Sequence, residues 1–481
     1  MATPTAKSKT FDHTLTEGPI LSALWKLAWP TMLQNIIAGL QGIIDHTLVG
    51  HLVGRNANAA IGVSWQIFLV VVVFVSSLFS GMGVLVARFA GAGDAEKVNR
   101  VVYQAFITAV ILACFILAPL GYFLAPQLLD LVHAAPEVKA EALAYIRIMF
   151  VFSFGMLIFF MLGGALRAAG DAKTPLRLGV IMTVLNLTLN LVLISGLGPI
   201  PKFGTRGSAM GTAIAAGVAA LTGLYLLFSK KLVVQFSKNM SWKPDWQIIG
   251  SLFKFGLPTG FQGIAMNVGG VIMLRFIGSL QQSAAAHAAY AVGYTQLFSL
   301  ITWTSVGLMG ATAAMVGQNL GAEKPERAVL AAHTASRIGL TLATIVGLLF
   351  MFIPQQLLAI FGMKDLIAVE LGTGLLHFLS LSGLFVTVAL VYNGALQGTG
   401  DTRSPLFITL ISQFVLPIGL CSVLQSMREL QPSDVWVAIV LGHATRALFS
   451  FWRFRQEKWR KIKIEIGAVN TQGSNQKILA D

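Results

Sequence analysis

The sequence predicts an all-α integral membrane protein with twelve transmembrane helices in two homologous six-helix lobes. Three observations predict this fold class. Hydrophobic residues make up 55% of the chain and charged residues only 11%, whereas soluble domains carry roughly 25% charged residues. Several apolar runs exceed the roughly 20 residues that cross a bilayer as a helix. Short motifs also recur about half a chain apart. Since lipid offers the backbone no hydrogen-bond partner, helices are expected rather than open strands.

Polar breaks between the apolar runs place the helices in order. The predicted spans are 20–47, 59–87, 100–128, 138–166, 176–198, 208–229, 248–276, 284–316, 328–360, 368–396, 405–425 and 433–452. They divide the chain into an N-terminal tail (1–19), an N-lobe (20–228), a linker (229–247), a C-lobe (248–452) and a basic C-terminal tail (453–481). Cys114 and Cys421 fall inside spans without disulfide or zinc spacing, so no metal site is expected.

The distribution of basic residues predicts the orientation. With twelve spans, both termini lie on one side of the membrane. That side holds 23 of the 34 Lys and Arg residues, three of them around 167–177, while the opposite side holds seven and the remaining four lie in or at the ends of spans. Cytoplasmic loops carry an excess of Lys and Arg. We therefore expect a multi-pass protein of the cytoplasmic (inner) membrane with both termini in the cytoplasm. The net charge of +14 is expected to face anionic lipid rather than nucleic acid.

The two halves share motifs in the same order. GALRAAGDAKTPL at 164–176 matches GALQGTGDTRSPL at 394–406 at seven of thirteen positions. LAWPTMLQ at 27–34 likewise matches FGLPTGFQ at 255–262. Because the matched loops fall on the same side of the membrane, the halves are parallel repeats related by a pseudo-twofold axis along the membrane normal. Paired lobes of this kind suit alternating access better than a continuous pore.

The doubled motif predicts a tight loop at equivalent places in the two lobes. Its glycine suits a helix end with positive φ, and its proline suits the first turn of the next helix. Its aspartate can cap or hydrogen-bond the turn. We interpret these loops as hinges of a two-lobe machine. The hinge and loop residues are Pro30, Gly170, Asp171, Pro175, Gly400, Asp401 and Pro405.

GAGD at 91–94 and GTGD at 398–401 also match the G-x-G-D signature of intramembrane aspartyl proteases. Such an enzyme needs its aspartate inside a span, facing a second aspartate in a neighbouring span. Here Asp94 and Asp401 are both followed by polar loop residues. An enzyme is therefore not expected, and the protease is kept as a remote alternative.

The doubled motif resembles a signature of the multidrug and toxic compound extrusion (MATE) family, in particular of its bacterial branch. The resemblance covers roughly residues 15–455, and each half ends its fourth span with A-L-(R/Q)-x-x-G-D-x-(K/R)-(T/S)-P-L. Other stretches that resemble the family are AAAHAAYAVGYTQ, MVGQNLGAEKPERA, LNLTLNLVLISGLG and GTRGSAMGTAIA. The resemblance implies a secondary antiporter that exports amphipathic or cationic drugs or toxic compounds in exchange for H⁺ or Na⁺ by a rocker-switch cycle. It implies no cofactor besides this ion, and a monomer is expected.

One acid, Asp45, has apolar sequence on both sides. A carboxylate at mid-membrane costs about 2.5–3.5 kcal/mol on insertion scales, so such residues tend to be paired and functional. The alternative is that Asp45, fifteen residues after Pro30 or about 22 Å of helix, lies past the hydrocarbon. The resemblance implies that Asp45 is the coupling acid, because the family's coupling aspartate occupies this place in the first span.

The fifth span supplies partners for Asp45. Asn186 and Asn190 are four residues apart and share a helix face, although two such amides can also simply join helices. The resemblance adds Thr212 to the cation site. Archaeal-type members carry Asp where this chain has Asn190. One carboxylate instead of two weakens the case for Na⁺ and leaves proton coupling open. The C-lobe carboxylates of other branches are missing, and coupling is therefore expected in the N-lobe.

Further polar residues within the spans are candidates for a substrate cleft between the lobes, together with Phe and Met. Ordinary hydrogen bonding between helices is the alternative for each of them. The candidates are Gln34, Asn35, Gln66, Gln262, Asn267, Tyr294, Gln296 and Asn393. A flippase for lipid-linked or polysaccharide precursors is the alternative within the superfamily. Its cavity should carry Arg and Lys for pyrophosphate, and few basic residues fall deep in the predicted spans, which favours drugs.

Overall fold

The computed structural model describes residues 11–464, except 197, 238–239 and 241–242. The described residues form twelve long helices and no strand. The helices of the first half are α1 (Ile20–Leu52), α2 (Arg55–Gly91), α3 (Ala95–Leu131), α4 (Pro136–Val151 with Ser153–Ala168), α5 (Lys173–Ser195) and α6 (Thr205–Phe228). Those of the second half are α7 (Trp246–Gly278), α8 (Ser283–Gly321), α9 (Pro325–Phe352), α10 (Leu366–Thr399), α11 (Arg403–Met427) and α12 (Pro432–Arg455). Residues 1–10 and 465–481 of the predicted tails lie outside the described residues.

The twelve helices confirm the predicted fold class. Among the described residues, ten helices are individually long and apolar enough to cross a membrane, and α4 qualifies as a bent pair. The first helix, α1, has 33 residues or about 50 Å of length, but it is not in this apolar set. Its sequence is more polar because it contains Gln34, Gln41 and Asp45.

Prolines and local bends change some of the predicted boundaries. The ninth span was expected to reach residue 360, but α9 ends at Phe352. Pro354 begins a separate short helix, Pro354–Ile360, since a proline has no N–H with which to continue the α9 ladder. The fourth span was expected as one helix, whereas the two parts of α4 are bent by 51°. By contrast, α1 continues as helix through Pro30.

Each half of the chain has its own buried core. The largest cluster joins α2, α3 and α4, includes Phe236 in the segment after α6, and reaches Ile248 and Leu252 at the start of α7. The main cluster of the second half joins α7, α8, α10 and α12 around residues such as Phe298 and Leu379. Each half thus has its own main cluster, as the internal repeat predicts, and a further cluster joins α1 to α8 across the two halves.

The two groups meet where α1 packs against α8 and α2 packs against α7. Glycines allow this close approach. A Cβ on Gly81 would lie 2.3 Å from the carbonyl oxygen of Leu252, and one on Gly321 would lie 1.9 Å from that of Arg88. Gln318 also donates from Nε2 to the carbonyl oxygen of Ala168 over 2.7 Å. These contacts close one end of the molecule, which we call the tail end because both described tails lie there.

Both tails cover the hinge loops at the tail end. Leu15 is fully buried, and a Cβ on Gly170 would lie 2.8 Å from its Cδ1. The backbone oxygen of Leu15 accepts a hydrogen bond from Asn319 of α8 over 3.2 Å. On the other side, a Cβ on Gly400 would lie 3.2 Å from Cδ1 of Ile464. Each hinge glycine is therefore packed under one tail.

The hinge loops have the predicted conformation. Gly170 has φ +98° and Gly400 has φ +92°, which confirms the expected positive φ. Asp171 accepts a hydrogen bond from the backbone N–H of Thr174 over 3.0 Å, and Asp401 accepts the equivalent bond from Ser404 over 3.1 Å. Pro175 and Pro405 lie in the first turns of α5 and α11.

Candidate functional site

A cavity of about 480 Å³ lies between the two helix groups. One face of α1 supplies much of its wall, at the i, i+3, i+4 and i+7 spacing of a helical stripe. This stripe consists of Thr31, Gln34, Asn35, Ala38, Gln41, Gly42, Asp45 and His46. Parts of α2, α4, α5 and α6 complete the N-lobe wall, while Gln397 and Gly398 of α10 close the cavity toward the tail end together with residues of α8.

The rest of the wall is largely aromatic and apolar. Trp65 and Phe79 of α2 face the cavity, as do Tyr145, Phe159 and Phe160 of α4. Aromatic rings give flat apolar surface, and their faces attract cations. Methionines from three helices also line the cavity and can adapt their shape to a ligand. Such a wall fits an amphipathic compound with an aromatic body.

The predicted coupling residues form one hydrogen-bonded cluster at the cavity wall. The Asn190 amide donates from Nδ2 to Oδ1 of Asp45 over 2.8 Å. Asn190 itself is fully buried in α5, whereas Asp45 is half-buried and lines the cavity. The structure therefore brings a cavity-facing carboxylate of α1 against a fixed amide of α5.

Asn186, one turn before Asn190, connects this pair to α6 and to Gln41. In one orientation its amide donates to Thr212 Oγ1 over 3.0 Å and accepts from Gln41 over 2.9 Å. The swapped orientation is better matched to the carboxylate. Asn186 Nδ2 then lies 3.2 Å from Asp45 Oδ1, and its oxygen accepts from Thr212. The four predicted residues Asp45, Asn186, Asn190 and Thr212 thus lie in one network.

The same cluster contains an oxygen without a partner. Oδ1 of Asn190 is buried and has no hydrogen bond, and Gly211 leaves the space beside it, since a Cβ there would lie 2.2 Å away. Carboxylate, amide and hydroxyl oxygens are the ligands of hard cations. One carboxylate with neutral oxygens therefore fits a proton or a monovalent cation. The described residues contain no group of three His, Cys, Asp or Glu that could hold a metal ion.

The structure places the predicted cleft residues in different environments. Gln34 and Asn35 line the cavity, whereas the other six do not belong to its lining. Gln262 is buried and donates to Thr409 over 2.9 Å, and Asn393 accepts from Ser450 over 3.0 Å. Tyr294 stacks on Tyr290, Gln296 is half-buried in α8, and Gln66 and Asn267 are exposed.

Sequence reasoning missed several polar residues of the cavity, among them Gln41, His46 and Arg167. Gln41 and His46 follow from the α1 stripe, because they share the helix face of Asp45. Arg167 was counted with the loop at 167–177. It lies instead in the last turn of α4, where it lines the cavity and donates to Gln34 Oε1 over 3.2 Å. This position adds one arginine to the cavity lining, which stays within the expectation of few basic residues deep in the spans.

A family model described as MatE matches residues 30–192 and again residues 258–423, once in each half of the chain. The chain belongs to the MatE family. This membership confirms the family that the doubled motif resembles. The two separate matches also agree with the internal repeat.

Full-length relatives of this MatE chain are found in several bacteria. The probable multidrug resistance protein NorM of Thermotoga maritima is 27% identical over 446 residues, which cover 92% of this chain and 94% of that protein. Multidrug resistance protein MdtK of Pectobacterium atrosepticum is 24% identical over 458 residues, which cover 92% and 96% respectively.

A solved structure has the same fold. It is the outward-facing conformation of a multidrug resistance MATE family transporter, with a TM-score of 0.86 and 22% identity, and the match covers 96% of this chain and 100% of that chain. At this identity the likeness shows the fold alone. It confirms the predicted two-lobe architecture of twelve helices for this MatE protein.

Proposed function

We propose that this protein is a secondary active antiporter that exports amphipathic compounds with a cationic group in exchange for H⁺ or Na⁺. The position of Asp45 carries the proposal. Its carboxylate lines the cavity between the lobes and accepts a hydrogen bond from Asn190 over 2.8 Å. Family membership supports transport, and the names of the multidrug resistance relatives support drug export.

Coupling follows from competition for one carboxylate. An ionised Asp45 attracts the cationic group of a substrate, whereas a bound H⁺ or Na⁺ neutralises the same charge. An unpaired charge is costly inside the membrane, so the lobes change conformation only when Asp45 carries one partner or the other. A ligand shifts a conformational equilibrium by its difference in affinity for the two states. Substrate and ion therefore move in opposite directions.

The lobe contacts support a rocker-switch cycle. The helix groups meet at the tail end along α1–α8 and α2–α7, and the cavity is closed there by α8 and α10. At the opposite end, hydrogen bonds join segments of the same lobe. An example is the bond from Gln281 to Glu429 over 2.6 Å, within the C-lobe. If the tails are cytoplasmic, as the basic residues predict, this is the outward-open state. The inward-open state then requires separation of the tail-end contacts.

The protease alternative loses its structural basis. Asp94 accepts a bond from the backbone of Lys97 over 3.0 Å and pairs with its ammonium at 2.7 Å. Asp401 pairs with Arg453 at 2.8 Å. Both aspartates therefore serve as caps or ion-pair partners at the tail end, and the proposal is a transporter rather than an enzyme.

Transport by purified protein in proteoliposomes tests this function. An ethidium-type dye is followed while ΔpH or a Na⁺ gradient is imposed separately, with empty liposomes and an ionophore as controls. We expect one gradient to drive the dye uphill and the ionophore to abolish this movement. Dye that only equilibrates, at a rate independent of both gradients, would contradict antiport.

A further inference from the structure

Arg167 is a cation within the cavity that has no acidic partner. The ion pairs of the described residues do not include it, and its hydrogen bond there goes to the neutral amide of Gln34. A guanidinium has five N–H donors and no acceptor. Most of the donor capacity of Arg167 is therefore available to a ligand that enters the cavity.

The local backbone makes room for this side chain. A Cβ on Gly163, one turn earlier in α4, would lie 2.9 Å from Nη1 of Arg167. Glycine thus allows the guanidinium to lie along its own helix, beside Gln34 of α1. Gly163 and Gly164 line the same cavity as Arg167.

The internal repeat shows that the positive charge is particular to one lobe. GALR at 164–167 corresponds to GALQ at 394–397, so that Gln397 is the equivalent of Arg167. Gln397 lines the same cavity from α10. The two lobes therefore present equivalent hydrogen-bonding side chains at the tail end of the cavity, and only the N-lobe copy is charged.

The two charges of the cavity wall lie far apart. Arg167 lies beside Gln34 of α1. Gln34 is eleven residues before Asp45 on the same helix, or about 16 Å along its axis. Trp65, Phe159 and Phe160 contribute aromatic wall to the same cavity. The cavity thus has a cationic end, an aromatic body and an anionic end.

We propose that Arg167, with Gln34, is a carboxylate-binding subsite that makes the cavity prefer a substrate with a free carboxylate over its uncharged ester. This inference rests on the proposed function and assigns one specificity-determining residue to its cavity. An arginine fork binds a carboxylate through two parallel hydrogen bonds. A glutamine at the same position keeps hydrogen bonding but lacks the charge.

A matched pair of dyes tests the subsite. Rhodamine 110 carries a free carboxyl group, and rhodamine 123 is its methyl ester with the same xanthene cation. Binding to the purified full-length protein is measured by fluorescence polarisation, and transport is measured in proteoliposomes. In Arg167→Gln, we expect affinity for the acid dye to fall at least roughly tenfold, the size of a charged hydrogen bond, while affinity for the ester changes less than twofold. Arg167→Lys should retain part of the preference.

The possible outcomes separate this inference from the proposed function. If Arg167→Gln lowers the affinity for both dyes equally, or for neither, the carboxylate subsite is overturned. Export of the ester by the wild type would still support the proposed function. Failure of the wild type to move either dye would overturn the proposed function and the inference with it. Displacement of the acid dye by short-chain phosphatidic acid in the wild type, but not in Arg167→Gln, would assign the subsite to lipid phosphate instead.

Discussion

The side-chain amide of Asn190 donates a hydrogen bond to the carboxylate of Asp45 over 2.8 Å. This bond joins a fully buried residue of α5 to a cavity-lining residue of α1. A charge-assisted hydrogen bond is roughly twice as strong as a neutral one, so the ionised Asp45 is held more firmly against α5 than the protonated form. The ionisation state of Asp45 can therefore alter how α1 packs within the N-lobe.

Asn190→Ala should weaken coupling less than the loss of Asp45, because it removes a partner of the carboxylate and leaves the charge. We expect the ratio of uphill to downhill dye transport to fall several-fold in proteoliposomes. Asn35→Ala is a matched control, since Asn35 also lines the cavity but bonds to Thr31 of its own helix over 2.8 Å. Equal loss in the two variants would show that the bond to Asp45 has no special role.

The hinge glycines should tolerate no β-branched side chain. Non-glycine residues in left-handed backbone are strained by about 1–2 kcal/mol, and valine at Gly170 or Gly400 would also press against Leu15 or Ile464. Both Gly170→Val and Gly400→Val are expected to lower the melting temperature and abolish transport to a similar degree. Gly419→Val is the control, because a Cβ there meets no atom within 4 Å. Normal expression and transport by Gly170→Val would contradict the hinge-loop assignment.

The N-terminal tail should detach in acid. Asp12 is paired with Lys26 and bonded to Thr14. Although partial burial opposes ionisation, the bonds from Lys26 and Thr14 lower the pKa of Asp12 below its ordinary value of 3.8. A carboxyl with a depressed pKa stabilises the folded state above the unfolded pKa and loses this effect as pH falls through the folded pKa. The tail contact is therefore expected to be intact at neutral pH and to be lost only as pH falls below the ordinary value of 3.8.

Hydrogen exchange over residues 12–18 measures this contact. Asp12→Asn should raise exchange there at neutral pH, as acid does in the wild type. Asp130→Asn, which removes a surface acid paired with Lys139, should leave the exchange of this segment unchanged. Protection that is the same in wild type and Asp12→Asn would show that the ion pair does not hold the tail.

Both termini should be cytoplasmic because basic residues are concentrated in the loops on their side of the membrane. Alkaline phosphatase fused after Asn470 is expected to be inactive, and a fluorescent protein that folds only in the cytoplasm is expected to be bright at the same point. Active phosphatase with a dark fluorescent protein would reverse the orientation of every loop.

The sequence was sufficient for features that depend on local chemistry. Apolar runs predicted the helices, and the glycine of the doubled motif predicted the positive φ of Gly170 and Gly400. The spacing of Asn186 and Asn190 predicted a shared helix face, which the structure places against Asp45. Each of these features is determined by residues that are close in sequence or lie on one helix.

Features that depend on how helices are rotated against each other were not predictable in the same way. Arg167 lies three residues before the hinge glycine, so its position in the sequence predicts a loop residue. Its side chain instead points along α4 toward Gln34. Gln262 and Asn393 are polar residues within spans like Gln34, but their helices turn them toward Thr409 and Ser450 inside the C-lobe. Periodicity identifies a helix face but does not identify the neighbour that covers it.

Gradient-driven transport by Asp45→Asn tests the central claim most directly. The variant keeps the size of the side chain and removes its charge, and it is compared with the wild type and Asp130→Asn in the same proteoliposomes. We predict normal membrane insertion and weakened but measurable dye binding, since the aromatic cavity wall remains, and loss of uphill efflux under whichever gradient drives the wild type. Uphill efflux by Asp45→Asn at the wild-type rate would contradict the assignment of Asp45 as the coupling acid.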